Sequence, residues 1–426
     1  MNYSQHGKKM TVEKTTFSSW QALSALALGA FVVEFGCAVE RDSSSEAWTE
    51  SAEEQDDELL DAAPEEVRDA LIGMLEDAWP TAIEPALANA ETSMAALKTA
   101  TSALAADSGS ADARTAAQDA WVEAMRAWQA LEVMQVGPAG SSLTAAGGKN
   151  IRDSIYSWPT TNPCRIDQVT CRFEFEDGDF FEDALVNAYG LDALETVLFS
   201  PPNENSCSSN SGINREDTWD DVGADGIAQA RADYADRMAE AIESDLQRIR
   251  DAWEGGFGTE LATAGQGSES FDSSVKGVNA IYDGLFYLET FVKDRKLGWP
   301  LGLRDCGQED CSDEVESLMV GLSNEWLAAN LTGFRALYTG GEGIGMYDLL
   351  VSVEEEALAD DVITRLDEAD VAVAALTLSI NETLASDPGT LEAAHAAIKG
   401  VTDLLKVDIA TVLSLEVPSE AAGDND

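Results

Sequence analysis

Apolar positions along most of the chain recur every three to four residues, which is the spacing of amphipathic helices. Such segments are predicted at about 64–77, 80–106, 109–135, 179–199, 215–253, 271–296, 313–338, 346–384 and 388–414. Alanine is abundant and runs of β-branched residues are short, which favours helices over strands. The pattern therefore predicts an all-α protein.

Glycine-rich sequence near the middle of the chain divides the predicted helices into two groups. Gly255-Gly256-Phe257-Gly258 and Gly265-Gln266-Gly267 mark a linker at 255–270. We expect one helical bundle at 64–254 and a second at 271–415, packed side by side. Residues 416–426 are predicted to form a disordered tail.

The start of the chain is typical of an export signal. Lysines precede an apolar run, Ala22–Val33, that is too short to span a bilayer. Gly36-Cys37 resembles the end of a bacterial lipoprotein signal, although Glu34 and Phe35 depart from its usual pattern. Residues 1–37 are predicted to be a signal peptide ending in a lipidated Cys37. A cleaved, soluble periplasmic protein is the alternative.

Acidic residues dominate the composition. Residues 38–63 are rich in Ser, Glu and Asp without an apolar period, which predicts a flexible tether. The formal net charge of −53 argues against binding to nucleic acid or to an anionic lipid surface. We therefore expect contact with a membrane through the lipid anchor only, in the bacterial cell envelope, either at the outer membrane or in the periplasm.

The cysteines after Cys37 are expected to form disulfides, because an exported chain with only two histidines offers little for a zinc site. Cys306 and Cys311 would close a short loop. Cys164 and Cys207 would hold both flanks of the 179–199 helix, although Cys171 could replace either partner. One thiol is left over, and the spacing does not identify it.

Two carboxylates in the 179–199 helix are the first candidates for chemistry. Asp192 and Glu195 lie one turn apart, beside an apolar stripe formed by leucines. Paired carboxylates on one helix face can hold a hard cation or exchange protons. The alternative is that both face solvent, as most helix carboxylates do.

The segment Gly190-x-Asp192-x-x-Glu195 resembles the Gly-x-His-x-x-Glu signature of the imelysin family, with Asp in the His position. Asp in place of His removes a nitrogen ligand and a near-neutral proton carrier, and it adds a hard oxygen donor. Further fragments similar to the family follow the same order within residues 66–415: Trp121-x6-Trp128, Tyr156-Ser157-Trp158-Pro159, Asn162–Gln168, Val278–Tyr282, Lys293–Gly302 and Asn330–Arg335.

The resemblance implies a pair of four-helix bundles and a role in iron acquisition, with iron or another divalent metal as ligand and a partner in an iron-uptake system. It places Gly190, Asp192 and Glu195 in the site. Asp167 is a candidate third carboxylate, with scaffolding in an Arg165–Asp167 ion-pair network as the alternative. Further candidates are Asp283 as a ligand, with solvent exposure as its alternative, and Tyr156, Trp158, Arg165, Asn279 and Tyr282 as supporting residues.

The leading hypothesis is an exported protein that binds a metal ion or a metal-containing ligand between two bundles. The alternatives are a metal-dependent peptidase and a structural or adaptor lipoprotein. The chain has no His-Glu-x-x-His or Gly-x-Ser-x-Gly motif, and its histidines are His6 and His395. The sequence therefore leans away from an enzyme.

Overall fold

The computed structural model describes residues 63–306, 311 and 314–422. The predicted signal peptide with Cys37, the tether up to residue 62 and residues 423–426 lie outside the described residues. Within the described part every regular element is a helix, and there is no strand. The all-α prediction is confirmed.

The helices before the predicted linker are unequal in length. They are α1 (Glu65–Asp77), α2 (Glu84–Ala106), α3 (Ala111–Glu132), α4 (Ile151–Ile155), α5 (Pro163–Arg172), α6 (Phe180–Asp183), α7 (Leu191–Phe199), α8 (Gly212–Arg215) and α9 (Thr218–Ala252). Short 3₁₀ turns lie at Gly137–Ala139, Glu174–Glu176 and Val186–Ala188.

The later helices are α10 (Gly258–Ala262), α11 (Ser274–Leu285), α12 (Ser323–Thr339), α13 (Met346–Ser352), α14 (Glu356–Ala374), α15 (Ile380–Ser386), α16 (Pro388–Asp403), α17 (Ala410–Leu413) and α18 (Ser419–Ala422). Four π-helical segments occur, at Ala78–Ile83, Trp253–Phe257, Leu288–Gly298 and Leu404–Ile409. The segment Leu288–Gly298 continues the direction of α11 with a wider turn.

Four predicted helices are interrupted in the structure. In the predicted helix 215–253, α9 is kinked at Gly223, whose φ is 71°. The predicted helix 179–199 stops at Asp183, because Ala184 and Leu185 are extended, and α7 begins only after Gly190, whose φ is 110°. The predicted helix 313–338 begins only at Ser323, after Ser317 and Gly321 with φ of 49° and 71°. Glu354, with a φ of 65°, separates α13 from α14 within predicted helix 346–384. The apolar period continues across these positions, so periodicity alone did not reveal the breaks.

Each half of the chain builds a layer of long helices. In the first half α2 packs against α3 and α9, and α7 packs against α3 and α9. In the second half α14 packs against α16 and α12, and Leu288–Gly298 packs against α16 and α12. Helix α1 contacts α11 and α13 of the second half.

The two halves meet where α3 packs against α12. A Cβ at Gly333 of α12 would lie 1.9 Å from the backbone oxygen of Ala130 in α3, so only glycine permits this approach. The buried apolar residues of both halves form one continuous core. A site at this junction is therefore held by packing from both sides.

Both predicted disulfides are present. Cys164 is bonded to Cys207 and Cys306 is bonded to Cys311. The remaining thiol of the described residues is Cys171, which is buried in a small second cluster with Ile213 and Trp219. Burial raises the pKa of the Cys171 thiol, which opposes formation of the reactive thiolate.

The segment predicted as a disordered tail packs on the fold as far as α18. The backbone N–H of Glu416 donates to the side chain of Asn279 at 3.0 Å, and Ala421 is buried. Among the described residues, no helix combines the length and the apolar character needed to cross a membrane.

Candidate functional site

The signature helix α7 begins immediately after Gly190. A Cβ at Gly190 would lie 2.8 Å from Oδ1 of Asp192 and 2.9 Å from the backbone oxygen of Ile155. The positive φ and these contacts both require glycine. Glycine at this position thus permits a close approach between the start of α7 and Ile155 at the end of α4.

Asp192 is buried and fully engaged by hydrogen bonds. Its Oδ2 accepts from the backbone N–H of Ser157 at 3.2 Å, from the Ser157 hydroxyl at 2.8 Å and from the Thr161 hydroxyl. Its Oδ1 accepts from the N–H of Ala193 at 3.0 Å. A carboxylate offers about four acceptor positions, so these four donors satisfy it. Burial raises the pKa of Asp192, although the bonds from Thr161 and Ser157 oppose that shift.

Glu195 reaches across the junction to the second half. Its Oε1 accepts from the backbone N–H groups of Met319 at 3.0 Å and Val320 at 3.1 Å. Its other oxygen, Oε2, accepts no hydrogen bond from the described residues. Burial raises the pKa of Glu195 to about 7, the two N–H groups oppose this, and the charges of Asp192 and Glu316 add to it. No Lys or Arg of the described residues pairs with Asp192 or Glu195.

A buried charge centre lies at the junction beside these carboxylates. The ammonium of Lys296 donates to Glu132 at 2.7 Å, to Asn330 at 2.9 Å and to Gln129, and it lies 3.0 Å from Glu316. All five side chains are at most 1% exposed. We call this group the junction centre: Gln129, Glu132, Lys296, Glu316 and Asn330.

Glu316 connects the junction centre to the signature helix. Its Oε1 accepts from the hydroxyl of Tyr156 at 2.8 Å and from the amide of Gln129 at 3.0 Å. Its Oε2 is buried and has no hydrogen-bond partner. Burial raises the pKa of Glu316, Lys296 opposes this, and the charge of Glu132 adds to it.

The predicted supporting residues Tyr156 and Trp158 both lie at this junction. Burial and the negative charge of Glu316 raise the pKa of Tyr156 well above its usual value, so its hydroxyl stays a donor. The ring of Trp158 lies 5.9 Å from that of Trp299 in the second half. The backbone oxygen of Trp158 accepts from Arg152, which also lies 3.6 Å from Glu132.

The structure places Asp167 and Arg165 away from the carboxylate pair. Asp167 pairs with Arg231 at 3.0 Å and accepts from the backbone N–H of Ser206 at 2.6 Å. Arg165 pairs with Glu174 at 2.5 Å. Each residue therefore belongs to an ion pair, as the scaffolding alternative predicted, but the two do not pair with each other, because residues two apart on α5 point to different sides of the helix. The expectation of Asp167 as a third carboxylate beside Asp192 is not met.

Asn279, Tyr282 and Asp283 do not face the first-half carboxylates. Asn279 exchanges hydrogen bonds with the backbone of Glu416, and the hydroxyl of Tyr282 donates to the backbone of Leu405 at 2.6 Å. Burial and the nearby Glu416 raise the pKa of Asp283 to about 7. These three residues lie away from Asp192 and Glu195 because α11, which carries them, packs against α1, α12 and the C-terminal segment.

The residues of the junction centre were not among the predicted site residues. Lys296 and Asn330 lie in fragments similar to the family, which was the available signal. Glu316 lies in a stretch predicted to be helical, where a solvent-exposed carboxylate is the ordinary expectation. Among the described residues, no three His, Cys, Asp or Glu side chains converge in a way that could hold a metal ion.

Comparison with known proteins agrees with this fold. The family model described as Imelysin matches residues 83–407. A protein described as an iron-regulated protein A precursor from Parabacteroides distasonis ATCC 8503 superposes with a TM-score of 0.62 at 18% identity, over 81% of this chain and 95% of its own. An imelysin-like protein from Psychrobacter arcticum 273-4 superposes with a TM-score of 0.58 at 16% identity, over 82% and 97%.

At these identities the structural likeness shows the fold alone. A search of curated protein sequences finds no match. The family model, by contrast, spans well over half of the chain, including α7 and the junction centre. The chain belongs to the imelysin family.

Proposed function

We propose that this protein is exported to the cell envelope and binds a divalent metal ion, with iron as the expected cargo, at the junction of its two halves. The observation that carries the proposal is a pair of carboxylates with oxygens left to coordinate. Oε2 of Glu316 is buried without a partner, and Oε2 of Glu195 accepts no hydrogen bond from the described residues. Glu195 accepts hydrogen bonds from the backbone of Met319 and Val320, which follow Glu316 closely in the chain, so both carboxylates lie at the same part of the junction.

The donor set is suited to a hard cation. Carboxylate oxygens are the preferred ligands of such ions, and the hydroxyl of Tyr156 lies 2.8 Å from Glu316. Two carboxylates are fewer ligands than a closed metal site contains, and water or a chelating group on the metal would complete the coordination. This arrangement is expected for cargo that is taken up and released.

Asp192 acts in this proposal as a positioning residue. Its four hydrogen bonds leave it little capacity to coordinate a metal, but they hold Ser157 and Thr161 against the start of α7. The same loop carries Tyr156, whose hydroxyl fixes Glu316. Asp in place of the family's His is therefore compatible with a site in which Glu195, one turn further, meets the metal.

Protons should compete with the metal at this site. The pKa of Glu195 is raised to about 7 because the carboxyl is buried and near other carboxylates. A bound cation would favour the ionised form and release the proton. We therefore expect tighter metal binding at pH 8 than at pH 6.

Metal analysis of the purified full chain tests the proposal. Samples equilibrated with Fe²⁺, Mn²⁺ or Ca²⁺ are dialysed, and the retained metal is measured for the parent and for Glu195→Gln with Glu316→Gln. The parent is expected to retain about one ion per chain at micromolar affinity or better, and the double variant at least tenfold less. The glutamines keep the shape and the acceptor oxygens of both side chains.

The acidic surface requires a matched control, because a chain with a net charge of −53 collects cations without any built site. Glu392 and Asp408 are exposed residues of the second half. Glu392→Gln with Asp408→Asn removes the same charge and is expected to retain the parent's metal. Equal retention by the parent and the Glu195 and Glu316 double variant would overturn the proposal. The peptidase and adaptor alternatives stay predictions.

A further inference from the structure

An open cleft lies between the loop of residues 135–153 and the helical stretch 283–305. Its volume is about 1060 Å³, and Pro418 and Ser419 close one side. Sites for organic ligands occupy about 300 to 1,000 Å³, so the cleft is far larger than a bare ion requires. Asp192, Glu195 and Glu316 do not line it.

One wall of the cleft is a stacked ladder along the π-helical segment. The rings of Tyr287 and Phe291 stack at 4.6 Å with an interplanar angle of 3°. The guanidinium of Arg295 lies 4.0 Å from the centre of the Phe291 ring and 5.6 Å from that of Trp299. These residues are four apart, and together they form an apolar lining along this wall of the cleft.

The positive charges in the cleft are already engaged by the protein. Arg152 lies 3.1 Å from Asp153 and 3.6 Å from Glu132, and Arg304 lies 3.0 Å from Asp294. The guanidinium of Arg295 rests on aromatic rings. An anionic ligand would have to compete with these contacts, and it would approach a protein of net charge −53.

Asp283 is the group in the cleft that lacks a partner. Its Oδ1 is buried and accepts no hydrogen bond, and the side chain forms no ion pair with any described residue. Glu416 lies near enough to raise its pKa. A buried carboxylate oxygen without a donor is unfavourable, and the Asp283 side chain lines the cleft, so a cation bound there would offset its uncompensated charge.

We propose that this cleft binds an organic cation, whose protonated amine pairs with Asp283 while a flat apolar group lies along Phe286, Tyr287 and Phe291. The aromatic side chains that line the cleft supply the apolar contact for that group. The site shares no residue with the proposed metal position. Substitution of Asp283 is therefore expected to leave metal retention at Glu195 and Glu316 unchanged, and either proposal can fail alone.

Calorimetric titration of the full chain with tryptamine tests this inference, with the neutral analogue tryptophol as the second probe. Tryptamine is expected to bind, and tryptophol is expected to bind at least tenfold more weakly because it lacks the charged hydrogen bond. A tenfold change in the dissociation constant corresponds to roughly 1.4 kcal/mol. Asp283→Asn is expected to weaken tryptamine binding at least tenfold. The exposed Asp408→Asn removes the same charge and is expected to change nothing.

Three results would each overturn the inference. They are equal tryptamine binding by Asp283→Asn and the parent, equal binding of tryptophol and tryptamine, and a titration in which Ca²⁺ or Mn²⁺ but not tryptamine depends on Asp283. Folding of each variant is checked by its circular dichroism and melting temperature. If Asp283→Asn does not fold, Asp283→Ser replaces it in the same titration and with the same expected loss.

Discussion

The buried carboxylates of the junction centre share a cation, whereas the carboxylate of Asp283 in the cleft has none among the described residues. At the junction the ammonium of Lys296 is shared by four oxygens drawn from both halves of the chain. In the cleft the carboxyl of Asp283 is half-buried beside Glu416 and forms no ion pair with the described residues. The first arrangement holds the halves together, whereas the second leaves a carboxylate open to a ligand.

A carboxylate with hydrogen-bond donors on both oxygens has a structural role, whereas one with a free oxygen can still bind a ligand. Asp192 has donors on both oxygens and positions a loop, whereas Glu195 and Glu316 each keep one oxygen without a hydrogen bond from the described residues. Three carboxylates at one junction thus differ in what they can still bind. This difference is not visible from residue type or burial alone.

Removal of Lys296 is expected to have the largest effect on stability. Lys296→Met leaves Glu132 and Glu316 buried without their shared cation, and breaking such a buried pair costs about 3–5 kcal/mol. Urea unfolding followed by circular dichroism measures the change. Lys399→Met is the control, because Lys399 pairs with Asp403 near the surface and such pairs contribute about 1 kcal/mol or less.

If Lys399→Met lowered the free energy of unfolding as much as Lys296→Met, the conclusion that the junction centre stabilises the contact between the two halves would be contradicted. The variant Lys296→Arg sharpens the test. It keeps the charge, but its planar guanidinium does not fit the four acceptors of an ammonium, so an intermediate loss is expected.

Stability is also expected to fall as the pH rises from about 5 to 8. Burial raises the pKa of Glu195 in the folded chain to about 7 from an ordinary value of 4.5, so the folded chain holds a proton that the unfolded chain has lost in this window. The stability that this proton gives is therefore lost as the pH rises through about 7. The shift corresponds to roughly 3 kcal/mol as an upper value.

Urea unfolding at pH 5, 6, 7 and 8 measures this dependence in the parent and in Glu195→Gln. The glutamine accepts the N–H groups of Met319 and Val320 without titrating, so the variant's curve is expected to be flatter. A variant with the same slope as the parent would show that Glu195 ionises normally in the folded chain.

The smallest expected effect concerns the cleft, where two carboxylates should respond with opposite signs. Asp283→Asn loses no ion pair and removes repulsion from Glu416, so a gain of about 0.5–1 kcal/mol is expected at pH 8. Asp294→Asn loses its contacts with Lys293 and Arg304, so a loss of about 1 kcal/mol is expected. Melting temperatures at fixed pH compare the two, and a loss in both variants would contradict the account of Asp283.

Much of the fold could be predicted from the sequence, because helical periodicity reports directly on which face is buried. The long helix α9 and both disulfides lie where the pattern placed them. The breaks before α7 and α12 were missed, because they depend on positive φ at Gly190 and Ser317 rather than on hydrophobicity.

The candidate site was predicted only in part. Asp192 and Glu195 were found because they belong to a local motif on one helix, and both are buried at the junction. Glu316 and Lys296 were missed because each also has a partner more than a hundred residues away, at Tyr156 and Glu132 respectively. Asp283 was expected to face the first half. The apolar period of α11 predicts which of its faces is buried, but it does not predict which helix packs against that face.

The most direct test of the metal proposal is a crystal structure of the protein grown with Mn²⁺ or iron, with anomalous data collected at the absorption edge of that metal. We expect one anomalous peak within coordination distance of an oxygen of Glu195 and an oxygen of Glu316. A map with no peak at these oxygens, although the metal is bound elsewhere on the acidic surface, would contradict the account.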